Sequence, residues 1–253
     1  MYWNVQFENR RWMMTTPFLN GEGNEYKSMV WPGLTLTRQE RHLLLHTPIH
    51  VESLSSAIHG GGMGKINRIA NIYVDRFYNC DDPEKDVEKL FQEWNYSQES
   101  TAGLLTAVKL EHAAVLEEQG EQASMFCCTT AGISNGARAG SKRSTFPAYQ
   151  PGTINIMLMI DGRLTQAAMV NAIMTAVEAK AAALADMGIP DSENGLIATG
   201  TTTDAIVLGV SQSNSYAIEH RYCGTATDLG AVIGRLVYRT VKESLRVAGV
   251  ILS

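Results

Sequence analysis

An apolar run ending in Phe126-Cys127-Cys128 breaks off into Thr129-Thr130-Ala131-Gly132-Ile133-Ser134-Asn135-Gly136-Ala137-Arg138-Ala139-Gly140. The run reads as a buried strand, and the residues after it are mostly small, hydroxyl-bearing or glycine. A structural turn seldom extends so far. A loop of this make-up gathers backbone N–H groups, hydroxyls and an amide where no bulky side chain interferes, which suits a site that grips polar groups. Ser53-Leu54-Ser55-Ser56-Ala57-Ile58-His59-Gly60-Gly61-Gly62-Met63-Gly64 and Ala198-Thr199-Gly200-Thr201-Thr202-Thr203-Asp204 share that make-up. Three such loops, each beside a strand-like run, predict one cleft at one edge of a sheet.

The remaining segments supply that sheet and its cover. Residues 1–50 read as short strands, among them Trp31–Thr37 and Leu43–His46, with a turn at Asn20–Asn24. Ile69–Val74 and Ile154–Ile160 are strand-like, as is Ala205–Val210. Asp82-Pro83 opens a helix with Val87, Leu90, Phe91 and Trp94 on one face. Within residues 101–118, either Leu104–Glu118 is helical or Ala113–Glu118 is a strand that turns at Gly120 to pair with Ala123–Cys128. An Ala-rich helix over about 165–187 has Thr165 as N-cap and Gly188 beyond its end, and is expected to be covered on more than one side. The last helix spans about 227–247. Leu229, Val232, Ile233 and Leu236 face the core, Arg235 and Arg239 face solvent, and Gly230 and Gly234 permit close helix contact.

These segments predict a single α/β or α+β domain over 1–253: a mixed β-sheet covered by long helices, with the core in 51–253. A hydroxyl–Gly loop, a strand ending in Asp75 or Asp161, and a helix occur twice in that order. An internal duplication and the ordinary loop–strand–helix order of α/β chains both account for it.

At 253 residues, 45% apolar and 19% charged, the chain has enough apolar surface for a sizeable core. A net charge of −5 argues against nucleic acid or an anionic membrane as partner. Four cysteines form neither CxxC nor a disulfide framework, which fits a reducing cytoplasm. Met1–Gln6 lacks the pattern of a signal peptide, and no apolar run approaches the roughly 18 residues that span a bilayer.

Several residues are candidates for chemistry. Glu178 lies mid-helix with Asn171 and Thr175 on its face; if covered, its desolvated carboxyl suits proton transfer, and if not, it pairs at the helix edge. Asp204 either orients a reacting group or caps its own loop. Ser55, Ser56, Thr129, Thr130 and Ser134 are candidate nucleophiles, with His59 as a base for Ser56, but no GxSxG or SxxK motif selects one. Gly61, Gly62 and Gly132 offer N–H groups to an oxyanion, and Asn135, Asn171 and Thr203 offer hydrogen bonds. The run Gly60–Lys65 fails the phosphate-loop pattern, because Ile66 follows the lysine. His46-x-x-x-His50 lacks the glutamate of HExxH; with His59 it leaves a three-His zinc site as a weaker reading than scattered hydrogen-bonding histidines, so no metal is expected.

At these loops the sequence resembles the adenosylcobinamide amidohydrolases, the CbiZ family. The matching pieces are Leu54–Ala57 with its glycines, Thr129–Gly140, Gly152–Ile156, Met169–Ala172, Glu178–Lys180, Ala198–Ala205 and Tyr222–Thr227. In order they cover about residues 50–247. The resemblance implies hydrolysis of the amide joining aminopropanol to a corrin propionate, giving adenosylcobyric acid and 1-amino-2-propanol. The implied partner is a small corrinoid whose cobalt belongs to the substrate, with no cofactor of the protein's own. A binder without chemistry and a threonine-nucleophile amidase or acyltransferase stay open, as does a homo-oligomer.

Overall fold

The computed structural model describes residues 12–21, 23–144 and 152–250. Its segments are β1 (Trp12–Thr15), β2 (Glu25–Lys27), β3 (Thr35–Arg38), β4 (His42–Ser55), β5 (Gly62–Tyr73), α1 (Pro83–Glu93), β6 (Thr101–Thr106), β7 (Ala114–Gln119), β8 (Ser124–Ala131), β9 (Gly136–Ala137), β10 (Ile154–Asp161), β11 (Arg163–Leu164), α2 (Gln166–Asp186), β12 (Gly200–Thr201), β13 (Ala205–Val210), β14 (Glu219–His220) and α3 (Asp228–Val247). One mixed sheet runs β1-β7-β8-β10-β13-β4-β3-β2, and β5 joins β4 to β6. The architecture is the expected mixed α/β domain. The signal-peptide reading falls on residues 1–11, outside those described.

The sheet curls because β4 changes neighbours. Along one edge it keeps β5, while the other passes from β3 at Leu43–His46 to β13 at Glu52–Ser55. The register shifts between His46 and Val51, where Pro48 brings no N–H to a ladder. Two units share one order of connections: β3–β4–β5–α1–β6 and β7–β8–β10–α2–β13. In each, three antiparallel strands are followed by a helix and a strand parallel to the third. The two segments that echo each other in sequence contain β5 and β10, the corresponding third strands.

Period-two alternation divides the core. Phe126, Cys128, Met157, Met159 and Val207 point inside the curl with Leu36, Leu43 and Ile69. Cys127, Ile156, Leu158 and Leu208 point out, beneath α2 and α3. Ile72, Leu105, Val87 and Phe91 form a third cluster under α1.

The helix ends follow their caps. Asp82 accepts from Lys85 N, Thr165 from Ala168 N and Thr227 from Gly230 N, each holding an N–H with no partner inside its helix. Elsewhere the structure departs from the expected elements. Gly62–Gly64 open strand β5, since the ladder with β4 continues to Ser55 opposite Gly62. Residues 101–106 form β6 rather than a helix, and β7 turns at Gly120 to pair with β8, as the strand reading of that stretch has it. Gly230 makes room for a loop, as a Cβ there would sit 2.0 Å from the Gly224 carbonyl; Gly234 faces Thr175 of α2. Arg235 does not face solvent freely but pairs with the buried Glu118 at 2.7 Å. Cover on α2 comes from two neighbours, the sheet and α3, and leaves one face open: Ala172, Ala176 and Ala183 are buried, and Val170, Met174 and Val177 are exposed. By length and hydropathy α2 could cross a bilayer, yet its buried stripe is spent on the sheet and on α3, as in a core helix.

Candidate active site

The ladders bring the three hydroxyl–Gly loops to one edge. Ala131 ends β8 opposite Ile154, Asn155 lies beside Ala205, and Ser56 N donates to the Ile206 carbonyl at 3.0 Å. The row Thr130–Asn155–Ala205 thus crosses adjacent strands, spaced about 4.8 Å apart. In parallel α/β sheets ligands sit at carboxyl ends; here β10 and β13 present their amino ends, beside the carboxyl ends of β4 and β8. A two-residue ladder between β9 and β12 clamps the Thr129–Gly140 loop to the Ala198–Asp204 loop.

Inside the curl this edge is floored by buried polar groups. Asn71 Nδ2 donates to Thr130 Oγ1 at 2.9 Å, and Asn155 Nδ2 donates to Asn71 Oδ1 and the Leu105 carbonyl, both at 2.8 Å. Thr153 Oγ1 lies 2.9 Å from Asn155 Oδ1 and 2.8 Å from the Thr203 carbonyl. Thr203 Oγ1 donates to the Gly152 carbonyl at 2.7 Å. A network this well satisfied holds its members rigidly.

The charged part of the edge is Asp204 with Lys180 of α2, an ion pair whose side chains are 12% and 8% exposed. Asp204 also accepts from Ile154 N and Thr201 N, each at 3.0 Å, and from the Thr201 hydroxyl. It therefore caps its own loop and ties that loop to β10. Gly200 leaves the pair room, since a Cβ there would meet both charged atoms within 2.6 Å.

Asn135 donates to Thr202 Oγ1 at 2.7 Å, while its buried carbonyl oxygen has no partner among the described residues. Gly152 packs against that oxygen, with φ +124°. Ser56 is exposed and its Oγ accepts from Ile206 N at 3.1 Å; Ser55 Oγ accepts from Ala57 N at 2.9 Å. Gly61 and Gly62 are exposed in the same hairpin. Gly61 must lack a Cβ, which would sit 2.5 Å from the Ala57 carbonyl.

Other candidates lie elsewhere or are engaged. Glu178 is exposed, so the desolvation that would suit it to proton transfer is absent. Asn171 accepts from Cys223 N and Thr175 donates to the Cys223 carbonyl, holding the loop before α3. Thr129 faces away from Thr130 and bonds Thr240 of α3 at 2.8 Å; both Thr129 and Thr130 are fully buried, which disfavours an open threonine nucleophile. The Gly132 N–H is spent on the Thr153 carbonyl at 2.9 Å and does not face an oxyanion. His59 turns to α1, edge-on to Phe91, with Nε2 3.1 Å from the Gln98 carbonyl, and no bond joins it to Ser56. His46 is half-buried and His50 exposed, and among the described residues neither clusters with His59.

Lys180, Asn71, Asn155, Thr153 and Thr202 join the candidate site although none is among the candidates for chemistry read from the sequence; all but Asn71 lie within the pieces that carry the family resemblance. For Lys180 a signal existed: it falls four residues after Ala176 and three before Ala183, on the buried alanine stripe. The two asparagines are polar residues inside strand-like apolar runs, where burial demands a partner.

The elements that build this edge all fall within the stretch that is similar to known proteins. Residues 29–249 match the family model described as adenosylcobinamide amidohydrolase. A Methanosarcina mazei protein named adenosylcobinamide amidohydrolase is 30% identical over 78% of this chain and 92% of its own length. One of that name from Halobacterium salinarum is 33% identical over 56% of this chain and 57% of its own length. An uncharacterised Methanocaldococcus jannaschii protein is 30% identical over 68% of this chain and 72% of its own length. With the match running from before β3 through the end of α3, the chain belongs to the adenosylcobinamide amidohydrolase (CbiZ) family.

Proposed function

We propose that this protein hydrolyses the amide between aminopropanol and a propionate arm of adenosylcobinamide. Water adds across the C–N bond: its oxygen goes to the carbonyl carbon and its protons to the acid and the amine, giving adenosylcobyric acid and 1-amino-2-propanol. Family membership over residues 29–249 carries the reading. The chemistry of the loop edge supports it, because a corrinoid with neutral side-chain amides is met by hydroxyls, amides and backbone groups rather than by a cationic pocket.

In this reading the unpartnered Asn135 carbonyl accepts an amide N–H of the substrate, with Thr202, Thr203 and the hairpin Ser55–Gly62 around it. Ser56, whose hydroxyl is accessible, attacks or holds the attacking water. The Asp204–Lys180 pair takes up and returns the proton. Thr130 sits in the floor and positions Asn71. The cobalt belongs to the substrate, and free cysteines fit a cytoplasmic setting.

Incubating the purified protein with excess adenosylcobinamide, then separating the corrinoids and quantifying aminopropanol, should show many turnovers. Asn135→Ala should lower kcat/KM roughly tenfold, the worth of one hydrogen bond. Intact substrate alongside retained binding would instead make the protein a corrinoid binder.

A further inference from the structure

The side of the β4–β5 hairpin that faces α1 has a use the hydrolysis does not absorb. A ring nitrogen of His59 and one carboxylate oxygen each of Glu84 and Glu88 lie within 4.8 Å of one another. We propose that these three residues bind a first-row divalent cation of the zinc class, holding the hairpin to the amino-terminal half of α1.

His59 is the observation that separates this from an ordinary acidic helix face. It is 8% exposed, and its Nδ1 is buried with no hydrogen-bond partner among the described residues. Nε2 lies 3.1 Å from the Gln98 carbonyl and donates to it, which leaves the lone pair on Nδ1. That is the arrangement of a metal-bound imidazole, whose other nitrogen donates to a carbonyl and so fixes ring and tautomer. Gln98 is itself tied to α1, since its Nε2 donates to the Glu88 carbonyl at 3.3 Å. The ring stands edge-on to Phe91 at 5.1 Å, and backbone bonds to Gly103 hold residue 59 in place. The glycine is required: a Cβ at 103 would lie 2.6 Å from Val87 and 3.3 Å from His59 Cβ, pushing helix and hairpin apart.

The carboxylates come from one turn of α1, whose i,i+4 spacing puts them on one face. Bonds of about 2.0–2.2 Å bring ligand atoms roughly 3.5 Å apart. Rotation of the exposed Glu84 side chain closes the difference. One imidazole and two carboxylates favour zinc, cobalt or manganese over calcium or magnesium, which take oxygen ligands. Position 59 is 25 residues before 84, so no sequence motif announces the set.

The test uses full-length protein stripped with chelator and titrated with Zn²⁺ by calorimetry, and with Co²⁺ as a spectroscopic probe. One equivalent should bind, and the imidazole ¹⁵N signal of His59 should shift at Nδ1. Glu84→Gln with Glu88→Gln, isosteric changes at an exposed and a half-buried position that are expected to leave the far-ultraviolet circular dichroism unaltered, should weaken binding at least roughly tenfold. Binding unchanged in that double variant, no saturable binding at all, or an unshifted His59 would each overturn the site. None of these readouts depends on hydrolysis, so a failed activity assay leaves the test intact.

Discussion

His42 packs against Trp94 with ring centroids 4.0 Å apart, and its Nε2 lies 3.0 Å from the Tyr96 hydroxyl. Burial, helped by the Arg41 charge, lowers its pKa to about 4. In the unfolded chain the value is about 6.5. Between these pH values the unfolded state binds more protons, so the contribution is fully present above pH 6.5 and lost as pH falls toward 4. The size is roughly 3 kcal/mol at most. His46 and His112 shift the same way, chiefly through burial. Urea midpoints should therefore fall from pH 7 to pH 4, and His42→Gln should flatten, without abolishing, that slope. A slope unchanged in the variant would assign it to other groups. Burial acts on the adjacent cysteines too: it pushes Cys127 up to about 11 and Cys128 well above its usual value. These are core thiols, not nucleophiles.

At the scale of the element, α2 is decided by which side its alanines turn to the sheet. Small residues let the helix axis approach closely, and the same closeness encloses Lys180 and leaves Glu178 outside. Lys180→Met would strand the Asp204 carboxylate among groups that exclude water. Loss of one partner of a buried pair typically costs about 3–5 kcal/mol. Adding Asp204→Asn should return part of that loss, because no uncompensated charge remains. Denaturant unfolding of the single and double variants measures both, and equal destabilisation of the two would count against the pair as the cause.

For the whole molecule, the two repeated units meet twice: by the β13–β4 ladder and by side chains inside the curl. Asn71 belongs to the first unit, and both of its partners, Thr130 and Asn155, to the second. The curl is thus closed by amide and hydroxyl groups where no ladder forms. Asn71→Ala removes an acceptor from Asn155 and a donor from Thr130, at a cost of about 1–3 kcal/mol for buried groups left unpaired. Since those partners floor the loop edge, we expect amidase activity to fall along with the unfolding midpoint. A variant of unchanged stability would show that the network carries little of the closure.

What the sequence determined by itself was local or periodic. Asp82 and Thr165 announced their helices because a cap bonds within three residues of itself. Apolar, β-branched runs marked β10 and β13, and the small-residue loops beside them pointed to the sheet edge where the structure gathers them. The tertiary structure alone decided what depends on a distant neighbour. It assigned Gly62–Gly64 to a strand through β4, spent the Gly132 N–H on Thr153, and turned His59 toward α1 instead of Ser56. It also matched Lys180 to Asp204, 24 residues away, and Asn71 to Asn155, 84 away. A buried polar side chain states in sequence only that it needs a partner; which partner satisfies it is settled by the packing that brings two strands or a helix and a loop together.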